Sequence, residues 1–194
     1  MLNFTVPREP QGPEDYCLVF AGRDAVVSMR QPPDQFWTRE DANKVFGEPL
    51  SQVPLGEWQG RACYALQIAP ERVDSLQHIQ GSLFTLLGRV PDSVFAAYGR
   101  AIQLISWRRD HRFCGRCSGE TELSDGGSAM RCSTCDHSVY PRISPCVIVA
   151  VSRGSQLLLA AAAGRRANFY STLAGFVEPG ESAEQAVARE VREE

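Results

Sequence analysis

The chain has 194 residues, of which 43% are hydrophobic and 22% charged, a balance that places it among soluble globular proteins with enough apolar material for one large core or two modest ones. Twenty basic and 23 acidic residues give a formal charge of −3, which excludes a strongly basic surface for nucleic acid or anionic lipid and leaves any nucleotide to a local site. The apolar runs at 146–151 and 157–163 are too short to cross a bilayer and residues 1–10 are polar, so no membrane partner is expected and the compartment is read as the cytosol.

Residues 16–29 read as two short strands joined by the turn Ala21-Gly22-Arg23-Asp24. Pro and Gly interrupt residues 31–60, which are read as irregular, and residues 61–69 are again strand-like. This predicts a small β-rich unit with no visible chemistry. Asp92 and Ser93 offer capping side chains to a helix in which Val94, Tyr98, Ala101 and Ile105 recur at helical spacing as far as Trp107. Arg108, Arg109, His111 and Arg112 crowd its end, where two readings stay open: cations favoured by the helix dipole, or a basic rim facing a nucleotide.

Cys114 and Cys117, then Cys132 and Cys135, form two Cys-x-x-Cys pairs separated by fourteen residues that Asp125-Gly126-Gly127 can turn into a hairpin. Four soft thiolates converging as a tetrahedron suit one structural Zn²⁺, because no position is left open for water. Two disulfides or an accidental cluster are the alternatives. Cys17, Cys63 and Cys146 lie apart among apolar neighbours, which fits a reducing compartment better than a disulfide framework.

Beyond the cysteines, residues 146–151 and 157–161 are β-like, 170–173 suggests a third strand, and the chain is helical from Ala183. Ser182 and Gln185 make a capping-box pattern after the turn at Pro179-Gly180, fixing the helix start near Ala183. On that helix Glu190, Glu193 and Glu194 share one face and would repel one another without a cation among them. Their hard oxygens select Mg²⁺ or Mn²⁺. Taken alone, the run 189–194 is also compatible with a solvated helix face.

Gly175, Glu181, Arg189-Glu190, Val191 and Glu193-Glu194, at the spacing they have here, resemble the signature of the Nudix hydrolases as far as the chain extends. The β-rich leader, the four-cysteine segment and Tyr140-Pro141-Arg142-Ile143-Ser144-Pro145 narrow the resemblance to the family's NADH pyrophosphatase branch. Register is good from about residue 112 to 194, and only architectural before that. The resemblance implies an α+β multidomain chain: a β-rich domain at 1–110 ending in an amphipathic helix, a zinc ribbon at 111–141, and the start of an α/β/α Nudix domain at 142–194.

It also implies metal-dependent hydrolysis of the pyrophosphate of NADH or NAD⁺ to nicotinamide mononucleotide and AMP, with removal of NAD caps from RNA, by a homodimer. By position, Glu190, Glu194 and the Ala174 carbonyl match ligands of Mg²⁺ or Mn²⁺. Glu193 matches a further ligand or the base that takes a proton from water. Arg189 and Glu181 match residues that orient these glutamates, and Tyr140 matches a substrate contact whose ring stacks on a base, with a packed hinge residue as the other reading. Some relatives have a glutamate where Gly127 stands and an arginine where Thr85 stands, and residues 160–163 replace a more polar segment. Hydrolysis of another dinucleotide such as ADP-ribose, and a non-catalytic zinc-ribbon binding module, are the competing functions. The signature runs out at Glu194, so the chain is expected to be a fragment that holds zinc but turns over NADH poorly.

Overall fold

A computed structural model describes residues 2–3, 12–29, 36–161 and 170–194. The chain separates into two compact units, Met1–Pro141 and Arg142–Glu194, and its class is mixed α+β.

The first unit is built on a seven-stranded sheet. In chain order its elements are β1 (Leu2–Asn3), β2 (Tyr16–Ala21), β3 (Asp24–Ser28), β4 (Trp37–Thr38), α1 (Arg39–Phe46), β5 (Ser51–Trp58), β6 (Arg61–Ile68), β7 (His78–Gly81) and α2 (Asp92–Asp110). The strand order is β1-β5-β6-β2-β3-β7, with β4 paired to β2 off this path. β2 and β6 run parallel, whereas the β2–β3 hairpin is antiparallel and turns at Gly22, as the sequence predicts.

Because strand side chains alternate between faces, β2 divides its residues between two cores. Leu18 and Phe20 join Leu55, Ala65 and the α2 residues Val94, Tyr98, Ala101 and Ile105. Cys17 and Val19 join Trp37, Phe46, Tyr64 and Leu66, the cluster to which α1 contributes Ala42 and Phe46. Cys17 and Cys63 therefore belong to opposite faces although their strands are neighbours. Burial pushes the Cys17 thiol up to about 12 and raises that of Cys63 further, so both act as small apolar fillers.

The irregular reading of 31–60 is corrected where the chain is described, because α1 and β5 lie there. Thr38 caps α1 by accepting a hydrogen bond from the Asp41 backbone N–H, and Gly47, at φ 72°, ends it. β5 tolerates Pro54 because the register shifts between Pro54 and Gly56, the kind of bulge to which proline is confined in sheets. The Leu55 carbonyl, left between the paired positions of that bulge, accepts from Arg100 Nε at 3.0 Å. Arg108 Nη1 donates to the Gln52 carbonyl at 3.1 Å, so two arginines of α2 fasten the helix to β5.

α2 also departs from expectation. It starts at Asp92 with Pro91 as cap residue, neither Asp92 nor Ser93 makes a capping bond, and it continues to Asp110. Pro at the entry presets the backbone, while Asp92 in the first turn favours the helix dipole. After α2 come β8 (Thr121–Ser124), β9 (Ala129–Cys132) and β10 (Ser138–Val139), a three-stranded sheet of order β10-β9-β8 whose β8–β9 turn is the expected Asp125-Gly126-Gly127.

The second unit comprises β11 (Cys146–Val149), β12 (Ser152–Arg153), β13 (Gln156–Leu157), β14 (Leu173–Phe176) and α3 (Ala183–Glu193). β11 pairs with β14, and β12 with β13. The third strand lies at 173–176 and not at 170–173, since Ser171 only forms a bridge to Ala160. β11 ends at Val149, short of the predicted 151, and Cys146, unlike the buried Cys17 and Cys63, is exposed. Residues 162 and 163 of the alanine run lie outside the described residues. Leu173 and Ala186 are buried between strand and helix, while Ile148 and Phe176 stay exposed.

Phe20 has no exposed surface and its ring lies 5.7 Å from that of Tyr98. Phe20→Ala is expected to lower the unfolding free energy of the first unit by about 3–5 kcal/mol in urea titrations.

Candidate functional site

Two clusters of side chains able to hold a cation stand out, one in each unit. In the first unit the sulfurs of Cys114, Cys117, Cys132 and Cys135 all lie within 4.8 Å of one another. The close pairs are Cys117–Cys135 at 3.4 Å, Cys117–Cys132 at 3.5 Å and Cys114–Cys135 at 3.7 Å. A tetrahedral ZnS₄ site with bonds of about 2.3 Å sets its sulfurs roughly 3.8 Å apart, so the pocket already has zinc dimensions. All seven cysteines are free, which removes the two-disulfide alternative.

The two knuckles repeat one another. In each, a backbone N–H two residues on donates to the first sulfur, Arg116 to Cys114 and Thr134 to Cys132, both at 3.4 Å. The residue after the second cysteine, Ser118 or Asp136, has positive φ and returns its N–H to the carbonyl of the first. The backbone N–H of Arg116 leads the lowering of the Cys114 thiol, and that of Cys135 leads the fall of Cys132 to about 6. At Cys117 the Gly119 N–H acts downward, but the sulfurs of Cys135 and Cys132 outweigh it and push the thiol up to about 12. Four sulfurs at this spacing repel as thiolates unless a cation sits among them, and the donor set fits Zn²⁺. Gly119 is required by the packing: a Cβ there would stand 2.5 Å from Thr134 Oγ1 and 3.2 Å from Cys132 Sγ.

In the second unit the capping box forms as predicted. Ser182 Oγ accepts from the Gln185 N–H at 3.2 Å, the Gln185 side chain accepts from the Ser182 N–H at 2.8 Å, and α3 begins at Ala183. Arg189 is then the hub. Its Nε and Nη2 hold both oxygens of Glu181 at 3.0 and 2.9 Å, its Nη1 reaches Glu190 at 2.6 Å and Glu193 at 3.1 Å, and Nη2 also donates to the Phe176 carbonyl at 2.8 Å. The Arg189 bond holds the Glu181 carboxyl below its usual range, and Glu181 in turn raises Arg189. Glu181 also accepts from the Glu178 N–H at 3.1 Å, so loop and helix are fixed as one piece.

Glu190 is buried at 9% exposure and lies directly over β14, where a Cβ on Gly175 would fall 1.9 Å from its carboxylate carbon. Only glycine admits that approach. Ala174 precedes it on β14, in register with Ile148. Glu194 caps the helix through its N–H to the Glu190 carbonyl. Glu190 and Glu193 thus meet through Arg189, whereas no contact joins either to the Glu194 carboxylate among the described residues. A cleft of about 550 Å³ beside the box is lined by Glu178, Glu181, Arg189 and Arg192 but not by Glu190, Glu193 or Glu194.

Tyr140, in the first unit, is 57% exposed and donates its hydroxyl to Asp125 at 3.4 Å, which does not fit a packed hinge. The basic rim does not form as a unit. Arg108 turns inward to Gln52, Arg109 pairs with Asp110, His111 Nδ1 bonds the Trp107 carbonyl, and Arg112 lies over Phe113. Gly127, at φ 90°, faces Arg108 Nη2, and Thr85 bonds its own turn at Ser82. Sequence reasoning passed over Gly119 and the close approach at Gly175; their signal is a glycine at a fixed distance from a ligand, legible only when the contact is known.

Three families match along the chain: the NADH pyrophosphatase-like rudimentary NUDIX domain over residues 14–107, the NADH pyrophosphatase zinc ribbon domain over 109–140, and the NUDIX domain over 141–194. The chain belongs to the NADH pyrophosphatase branch of the Nudix family. Among its curated relatives, a protein of Klebsiella pneumoniae named NAD-capped RNA hydrolase NudC is 43% identical over 140 residues, covering 72% of this chain and 52% of the relative. The protein of that name from Stutzerimonas stutzeri is 43% identical over 146 residues, 75% of this chain and 52% of its own length. That of Yersinia pestis is 41% identical over 141 residues, 72% and 51%. The chain spans about half the length of the curated relatives it matches.

Gly119→Ala is expected to weaken zinc binding at least about tenfold, as disturbed support around metal ligands does, measured by competition with a chromophoric chelator. Unchanged affinity would show that the knuckle tolerates the added methyl.

Proposed function

We propose that this chain serves metal-dependent hydrolysis of the pyrophosphate bond of NADH or NAD⁺ to nicotinamide mononucleotide and AMP, and of the NAD cap of RNA, in a cytoplasmic homodimer. The observation that carries the reading is the set of carboxylates ordered around Arg189, Glu181 from the loop before a capped helix and Glu190 and Glu193 from its last turns. The shared name of the relatives supports the substrate class. The organisation proposed is a β-rich domain at 1–110, a ribbon at 111–141 and a Nudix domain at 142–194.

The donor set around α3 fits Mg²⁺ or Mn²⁺: Glu190, Glu193 and Glu194 offer hard carboxylate oxygens and Ala174 a carbonyl, and the guanidinium that bonds two of these carboxylates supports a position that favours positive charge. Such cations, when bound, neutralise pyrophosphate oxygens and acidify water. The chain's own residues do the rest. Glu181 and the Phe176 carbonyl hold Arg189, Arg189 fixes the headings of Glu190 and Glu193, and burial over Gly175 keeps Glu190 against β14. Glu193, the more exposed of the two, takes the proton from the attacking water. The zinc ribbon takes no part in bond breaking, and Tyr140 presents its free ring to a base or nicotinamide.

Incubation with NADH and Mn²⁺, followed by chromatography, should yield AMP and reduced nicotinamide mononucleotide in equal amounts, at the low rate expected of this chain, with Glu193→Gln slower still by about 10²–10⁴-fold and zinc content unchanged. Cleavage of ADP-ribose with NADH left intact would overturn the substrate assignment. Independently of turnover, Gly175→Ala should weaken Mn²⁺ binding by about 10–100-fold in electron paramagnetic resonance titrations, because the methyl displaces Glu190.

A further inference from the structure

The guanidinium of Arg108 is used on one side only. Its Nη1 donates to the Gln52 carbonyl at 3.1 Å, whereas Nε is buried without a hydrogen-bond partner, and among the described residues no carboxylate pairs with the group. Nη2 lies at the ribbon turn, where a Cβ on Gly127 would stand 3.3 Å from it, so the glycine leaves that nitrogen clear. Nε and Nη2 together form the edge through which arginine takes carboxylate or phosphate oxygens side-on. Burial lowers Arg108 below the ordinary arginine range, which is the cost of holding that charge without a counter-ion.

Two neighbours share this condition. Ser124 ends β8 three residues before Gly127, and its hydroxyl is buried without a partner among the described residues. So is the indole N–H of Trp107, the residue before Arg108, whose side chain is buried. An arginine Nε and an indole N–H can only donate, and a serine hydroxyl donates as readily as it accepts. Buried donors are costly until an acceptor reaches them. Asp125, the carboxylate of the turn, accepts from the Tyr140 hydroxyl instead. We propose that the Nε–Nη2 edge of Arg108 and the Ser124 hydroxyl form an oxyanion site where α2 meets the ribbon turn, and that the site takes a phosphate group.

The chemistry of the donors selects the ligand. The guanidinium repels a cation, and a neutral acceptor leaves its charge without a counter-ion. A phosphate has oxygens for both nitrogens of the arginine edge and another for the serine, and it supplies the charge that Arg108 does without. Every residue of the site belongs to the first unit. The same turn holds Tyr140 through Asp125, so a nucleotide whose base lies on the Tyr140 ring is one source of the phosphate, and free phosphate is the other. The nucleotide source rests on the reading of Tyr140 proposed above; the oxyanion site does not.

The zinc-loaded 194-residue chain, titrated with inorganic phosphate and followed by NMR at the Gly127 amide and the Arg108 Nε–H, is expected to give a saturable shift with a dissociation constant of about 1–10 mM. Arg108→Lys keeps the charge but loses the fork, and should weaken binding at least about tenfold. Ser124→Ala should weaken it about three- to tenfold with zinc content unchanged, which keeps the test valid if Arg108→Lys loosens α2 from β5. Arg109→Gln, at a side chain paired with Asp110, should leave the affinity as it was. No saturation up to about 50 mM phosphate, or wild-type affinity in both site variants, would overturn the site. AMP bound at least about tenfold more tightly than phosphate, with the gain lost in Tyr140→Ala, would assign the phosphate to a nucleotide. AMP bound no more tightly than phosphate would overturn the Tyr140 reading and leave the site standing for free phosphate.

Discussion

Like charges gathered in a small volume have to be neutralised, and both clusters in this chain are organised by that constraint. Around α3 the neutralising group is built in: Arg189 bonds Glu181, Glu190 and Glu193 and anchors itself on the Phe176 carbonyl. Its planar fork takes Glu181 side-on and leaves a third nitrogen for the other two. The thiolates of the ribbon have no such residue. Backbone N–H groups lower two of the four sulfurs, and the crowding they leave at Cys117 is what a divalent ion relieves.

The two clusters were legible in the sequence to different depths. Cysteine spacing and the Ser182/Gln185 box are local patterns, and both formed where the residues said they would, because each depends on contacts within a few positions. The β2–β3 hairpin is local in the same sense. What the sequence hid is tertiary. β5 carries a proline and a glycine that argue against a strand, and it exists because β6 pairs along its length while Arg100 occupies the carbonyl at its bulge. Helical spacing puts three glutamates on one face of α3 without ranking their exposure, and burial separates them. Glu190 is packed over Gly175, Glu193 extends outward, and Glu194 takes part through its backbone.

The match of the first unit to a rudimentary NUDIX domain invites comparison of its long helix with α3. α2 turns Arg100 and Arg108 toward β5 and carries no glutamate, so its polar groups fasten helix to sheet where those of α3 collect negative charge. A similar layering of strand and helix thus serves as scaffold in one unit and as candidate chemistry in the other. Sequence periodicity cannot separate these roles, since it reports which face is apolar and says nothing of what the remaining polar atoms bond.

The repetition of the two knuckles bears on how the ribbon comes into being. Each knuckle is closed by its own backbone bonds within a few residues, Cys114 to Gly119 and Cys132 to His137, so each can form quickly and without the other. Either half can capture the ion first with two sulfurs. Completion then means closing the fourteen residues between Cys117 and Cys132, a modest entropic step that the β8–β9 turn has already largely taken. Assembly of the ribbon is therefore ordered by metal supply and not by chain search, and a newly made chain in a zinc-poor cell waits with two finished halves.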